Sequence, residues 1–355
     1  MDNCIQTRVK WVDVAKFAAI FAVMIDHTNG ILYTNPQVAW FSYYSVSLFV
    51  IVMGITTMWS YDKKDEALFI TVRNKCLGII RPYVVATVIY AIFVYRSFDF
   101  DIILNHLIRF NMSAPFYYVL LYIQLTLFSP ILFFVFENAR KNWGGYAIEV
   151  VTFFVVLCIG SWTTNHSNIL GVYGGGGKLF GGSYLILFYI GMWIGKYYKR
   201  MAFGKIASGV AAFVVCGFSI AWWQFIAVDR CRIDSRLPYG GGFNPPSISL
   251  GLYAFLVAAM LLFLEQFLLN WPNGVPSKIM EAFAFLGRHT LYIFLYHRLF
   301  IDVLLPNTFS LTGITIENMW FKRIVYFVFM IGGSMLIEFA LEKLHKKLLI
   351  SYKVK

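Results

Sequence analysis

Apolar runs of about 20 residues recur along most of the chain, separated by short polar gaps; one such run is enough to cross a bilayer as a helix. The runs predict spans near residues 12–32, 40–61, 78–96, 115–137, 146–164, 181–198, 203–227, 248–270, 281–305 and 321–343. The ninth begins on a polar stretch. Residues 99–110 alternate polar and apolar positions, the pattern of a helix lying along a membrane surface. No internal repeat, coiled coil or soluble domain interrupts the series. The expected fold is all-α, a polytopic membrane protein with about ten transmembrane helices, forming one membrane domain over residues 1–355.

Polar residues inside such runs are expensive and mark function by default. The first span carries four. Helical residues advance about 100° each, so Lys16 and His27, eleven steps apart, return to one face, and Asp13 joins them three steps before Lys16. These three form a polar stripe, with His27 roughly 16 Å above Lys16 by helix rise. Asp13 and Lys16 are placed to neutralise each other. Asp26 points about 100° away from His27 and needs a partner on another helix. The ninth span holds Arg288, His289 and His297, with Arg298 and Asp302 four apart. Glu338 lies in the last span and also needs a partner. Gln124 and Ser129 are expected to join helices by hydrogen bonds. On geometry alone, His27 and His297 fit either catalytic duty or hydrogen bonding between helices.

Composition agrees with the pattern. Of 355 residues, 59% are hydrophobic, 19% aromatic and only 14% charged, too apolar for a soluble chain. The net charge is +12, but the cations sit in the gaps between apolar runs. That distribution follows the positive-inside rule and argues against nucleic acid. One set of gaps holds Lys10, Lys63, Lys64, Lys196 and Lys343 among others, and both termini are expected in the cytoplasm. The first apolar run resembles a signal peptide, but its four ionisable residues and the many spans after it predict a retained helix. Two outer loops are expected. One, over 165–180, contains Gly174 to Gly177; it lacks the strand and the Gly-Lys-Ser/Thr ending of a phosphate loop and reads as flexible. The other, over 229–247, mixes Asp229, Arg230, Arg232, Asp234 and Arg236. The five cysteines form neither a CxxC pair nor a Cys/His cluster, so no metal site is expected. No serine-hydrolase elbow or zinc-protease motif is present.

The opening Asp13, Lys16 and His27, with ten residues between the last two, resembles acyltransferase family 3, integral-membrane enzymes that modify bacterial surface glycans. Further stretches match in order: Leu48 to Gly54, with Met53 where serine is usual; Ile80-Arg81-Pro82-Tyr83; Phe116-Tyr117-Tyr118 through Pro130; Phe188 to Met192; and Leu286-Gly287-Arg288 through His297. The family often carries arginine where this chain has Lys16. It also often carries a second arginine three residues before the Arg81 position, where this chain has Gly78, with Lys75 and Arg73 further back.

The resemblance implies transfer of an acyl group, usually acetyl, from cytoplasmic acetyl-CoA or another short acyl-CoA to a hydroxyl of a surface carbohydrate. It places the protein in the bacterial cytoplasmic (inner) membrane. His27 would be the general base, with Asp13 and Lys16 positioning its helix. Arg81, Lys75, Arg73 and Arg288 would hold the donor, while His297 and Asp26 would meet the substrate. No metal is implied. With no evident nucleophile, direct attack is the expected route. The alternative is a transporter or flippase of a glycan or lipid-linked intermediate; broken midplane helices and inverted repeats would favour it, and the sequence displays neither.

Overall fold

The computed structural model describes residues 9–62, 67–96, 98–139, 143–201, 203–234, 243–269, 275–313 and 316–353. Lys63, Lys64, Arg236 and the glycines 240–242 lie outside these. Among the described residues the regular structure is helical throughout. In order the helices are α1 Lys10–His27, α2 Pro36–Ser42, α3 Ser45–Asp62, α4 Leu68–Tyr90, α5 Phe100–Arg109, α6 Tyr117–Ala139, α7 Trp143–His166 and α8 Gly174–Gly177. There follow α9 Tyr184–Tyr197, α10 Lys205–Asp234, α11 Ile248–Leu269, α12 Val275–Arg288, α13 Thr290–Leu299, α14 Leu305–Thr312, α15 Met319–Val328 and α16 Ser334–Lys353.

Seven helical stretches among the described residues are long and apolar enough to cross a membrane, so this is a multi-pass membrane protein. The other three predicted spans fall short for separate reasons. Helix α1 carries Lys10, Asp13, Lys16 and Asp26. Helix α9 has only 14 residues. The predicted ninth span, 281–305, is not one helix: it breaks at His289 between α12 and α13, then passes through a π-helical turn, Phe300–Leu304.

Helices α1 and α9 are enclosed by their neighbours, and an enclosed helix has no need of apolarity on every face. Helix α1 stands between two apolar cores. Trp11, Ala15, Ala19 and Ala22 pack with α3, α6, α9 and α11. Ile20, Val23 and Met24 pack with α4, α13 and the α15–α16 unit. Small residues set the closest approach. A Cβ at Gly191 of α9 would lie 3.1 Å from the Cα of Gly54 on α3, so these two family-motif glycines meet backbone to backbone. The start of α1 has no side-chain cap of its own; Glu265 of α11 accepts from the Trp11 N–H at 2.9 Å instead.

The four-glycine segment is not a flexible loop. It forms one helical turn, α8, with Gly175, Gly176 and Gly177 buried. A Cβ at Gly175 or Gly176 would collide with the Tyr184 ring or the Tyr117 backbone. Gln124 of α6 grips the segment from both sides: its Nε2 donates to the Gly176 carbonyl, and its Oε1 accepts from the Phe180 N–H, each at 2.9 Å. Ser129 bonds the Tyr61 hydroxyl at 2.5 Å, so both polar residues expected to join helices do so. Helix α10 runs seven residues past the predicted end at 227, taking Cys231 out of the expected loop and into a helix.

Candidate active site

The stripe on α1 survives into three dimensions, and its two ends meet different surroundings. At the lower end Lys16 donates to Asp13 Oδ1 at 3.1 Å, and Asp13 is buried. The end of α12 packs directly on this point. Gly287 lies so close that a Cβ there would be 2.5 Å from the Asp13 carbonyl carbon. Only glycine permits that approach, which brings the neighbouring Arg288 beside Lys16.

A cavity of about 380 Å³ opens here, within the usual range of ligand sites, ~300–1,000 Å³. Lys16, Lys75 and Arg288 line it, together with Phe49, Tyr118, Tyr122 and Phe294. Lys75 faces Lys16 and donates to Thr57 Oγ1 at 3.4 Å. Arg288 stacks over the Phe285 ring at 5.4 Å. Three cations converge on one concavity, and of these Lys16 is held by Asp13. Such a concavity focuses positive potential on an anionic ligand.

The structure divides the predicted donor residues. Lys75, Gly78 and Ile79 share the face of α4 that lines the cavity. Arg81 lies about 120° round the helix from Lys75; both Arg81 and Arg73 are exposed and outside the lining. Of the three cations expected on α4, Lys75 is the one in the cavity lining, because helical phase, not sequence nearness to Pro82, decides which side chain faces inward.

At the upper end of the stripe His27 meets His297 of α13. His27 Nδ1 and His297 Nε2 are 2.7 Å apart and the ring planes differ by 4°, an in-plane hydrogen bond. His297 is fully buried, and its Nδ1 lies 2.9 Å from the carbonyl oxygens of both Ile293 and Phe294. Both nitrogens of His297 are thus engaged. His27 is half-buried and stands in front of it.

Asp26 turns away from His27, as its helical phase requires, toward Ser42 of α2 and Arg298 of α13. Arg298 also pairs with Asp302 at 2.9 Å, one turn on. Phe294 is shared between the cavity and the surroundings of the histidines. It lines the cavity, packs on Tyr118 at 5.2 Å between ring centroids and lies 6.4 Å from the His297 ring.

Residues 9–341 match the family model for the family 3 acyltransferase domain. The chain belongs to that family. No curated protein and no solved structure matches it. Membership makes this membrane protein an acyltransferase, and an acyl donor is one of its substrates. Among the described residues no group of three His, Cys, Asp or Glu side chains is placed to hold a metal ion.

Several features of this acyltransferase are missed by sequence reasoning. Tyr122 and Phe294 look like ordinary apolar lining. His289 Nδ1 bonds Glu338 Oε2 at 2.7 Å, fixing the break between α12 and α13 and supplying the partner Glu338 requires. Glu149, buried in α7, pairs with Lys196 and accepts from the Tyr197 hydroxyl at 3.1 Å. A carboxylate inside an apolar run is the signal that could have found it. A larger cavity of about 940 Å³ between α7, α9 and α11 is mostly apolar and contains none of the predicted site residues.

Proposed function

We propose that this acyltransferase moves a short acyl group, acetyl foremost, from cytoplasmic acyl-CoA to a hydroxyl of a surface carbohydrate, with His27 as general base. The observation that carries the reading is one cation-lined cavity whose lining residue Phe294 has its ring 6.4 Å from that of His297, the partner of His27. The donor's phosphates sit at Lys16, Lys75 and Arg288, with the thioester arm directed toward Phe294. His27 accepts the acceptor's hydroxyl proton as that oxygen attacks the thioester carbonyl. The tetrahedral oxyanion collapses, the carbon–sulfur bond breaks, and the CoA thiolate takes the proton back from His27. The positive surroundings of the donor end favour the developing anion. Both termini lie in the cytoplasm of a bacterial inner membrane, so the donor enters from the side that supplies it.

Acetyl-CoA binding to the purified protein, measured by calorimetry in detergent, tests the donor site. Lys75→Ala is expected to weaken binding about 10-fold or more, the loss of a charge-assisted contact of roughly 1.5–3 kcal/mol. Arg81→Ala is expected to bind nearly as wild type. Absence of binding to any short acyl-CoA by folded protein would turn the reading toward transport. For the base, His27→Ala should abolish CoA release at unchanged donor affinity; full CoA release by that variant would remove His27 from the chemistry.

A further inference from the structure

The His27–His297 contact specifies more than proximity, because it fixes where protons sit. A carbonyl oxygen only accepts hydrogen bonds, so His297 Nδ1, 2.9 Å from two of them, carries its proton and donates. In a neutral imidazole the other nitrogen is then a bare lone pair. That nitrogen, Nε2, lies 2.7 Å from His27 Nδ1 and must accept. His27 Nδ1 therefore bears a hydrogen, and the lone pair of neutral His27 is on Nε2. We infer that His297 is a positioning residue that locks His27 in its Nδ1–H tautomer and presents Nε2 as the one basic nitrogen.

Three features make the lock rigid. His297 is completely buried, so no water competes for its nitrogens. Its acceptors are backbone groups of its own helix, Ile293 and Phe294, which do not rotate. The two rings are close to coplanar, 4° apart, the alignment a ring N–H to ring nitrogen bond needs. The arrangement is directional. The two carbonyls polarise His297, whose Nε2 becomes a better acceptor for His27 Nδ1–H. When His27 Nε2 takes a proton, the resulting imidazolium keeps its bond to His297, and the new charge is stabilised without any group having to move. A carboxylate performs this orienting duty in other catalytic histidines; here a neutral histidine anchored on helix carbonyls does so. Asp26 and Asp302, the nearby carboxylates, are engaged with Arg298 instead.

The tautomer is a claim about ground-state structure, while its kinetic consequence rests on the reading of His27 as the base. The test has two arms. In the first, the protein with nitrogen-15 histidine is studied by long-range proton–nitrogen correlation, with His27 and His297 assigned from His27→Gln and His297→Gln. Both rings should appear as Nδ1–H tautomers, and His297→Leu should release His27 into a mixture of tautomers. An Nε2–H tautomer for His27 in the wild type overturns the proposal. In the second arm, CoA release from acetyl-CoA is followed in membranes containing the expressed protein. His297→Leu should lower kcat roughly 10- to 100-fold, part of what a positioned base contributes, with KM for acetyl-CoA unchanged. His297→Gln, whose carboxamide oxygen accepts from His27, should recover a large part of it. A His297→Leu protein with wild-type kcat, or a His297→Gln protein no better than His297→Leu, defeats the positioning role. If instead His27→Ala itself releases CoA normally, the base reading fails and the tautomer result still stands.

Discussion

Replacing Gly287 by alanine tests the contact that brings Arg288 into the cavity. The added Cβ would lie 2.5 Å from the Asp13 carbonyl carbon and 3.1 Å from its Cα. Non-bonded carbons settle at ~3.5–4.0 Å, and the Asp13 carbonyl oxygen is overlapped more deeply than its carbon, so α12 must retreat from α1 by more than about 1 Å. Both sides of the clash are backbone, and no rotamer relieves it. Nor is α12 free to drift: Lys10 pairs with Glu281 at 2.9 Å, and His289 pairs with Glu338 at 2.7 Å. Overpacking of this kind costs about 1–3 kcal/mol. If Arg288 holds a donor phosphate as proposed, moving it away should forfeit roughly 1.5–3 kcal/mol, or about a 10- to 100-fold rise in Kd. Gly78 supplies the control. It lines the same cavity, yet a Cβ there meets nothing within 4 Å. Gly78→Ala should retain binding and gain up to ~1 kcal/mol of helix preference. Calorimetry with acetyl-CoA and thermal unfolding in detergent would read both variants. If Gly287→Ala binds as wild type and melts no earlier than Gly78→Ala, the packing argument is wrong.

Two further outcomes follow from particular contacts. Phe294→Ala removes the ring shared between the cavity and the surroundings of the histidine pair, so CoA release without added acceptor should rise several-fold as water reaches the thioester; an unchanged rate would show that Phe294 is no barrier. Lys196→Met leaves Glu149 buried without its cation, which should destabilise the fold by about 3–5 kcal/mol. The double variant with Glu149→Gln should recover part of that in thermal unfolding, and a single variant that melts with the wild type would refute the assignment.

Much of this architecture was legible in the chain because helices obey local rules. Run length against bilayer thickness yields the all-α, multi-pass fold. Residue spacing puts Asp13, Lys16 and His27 on one face, sends Asp26 to a different partner, and pairs Arg298 with Asp302. These depend on 1.5 Å and about 100° per residue and on nothing distant. Where the rule of apolar runs fails, enclosure is the cause: α1 tolerates four charged residues because other helices, rather than lipid, surround most of it.

Tertiary structure decided everything that depends on which helix faces which. His27 and His297 are 270 residues apart in sequence, and no local pattern names one as the partner of the other. That Lys75 and not Arg81 lines the cavity follows from the rotational setting of α4 against α6 and α13, which is fixed by packing. The glycine run became a buried turn because Tyr117, Tyr184 and Gln124 close around it. The span over 281–305 broke at His289 because Glu338, from the last helix, was there to hold the break. Helix geometry sets the direction of each side chain about its own axis; only the packing of those axes determines what that side chain meets.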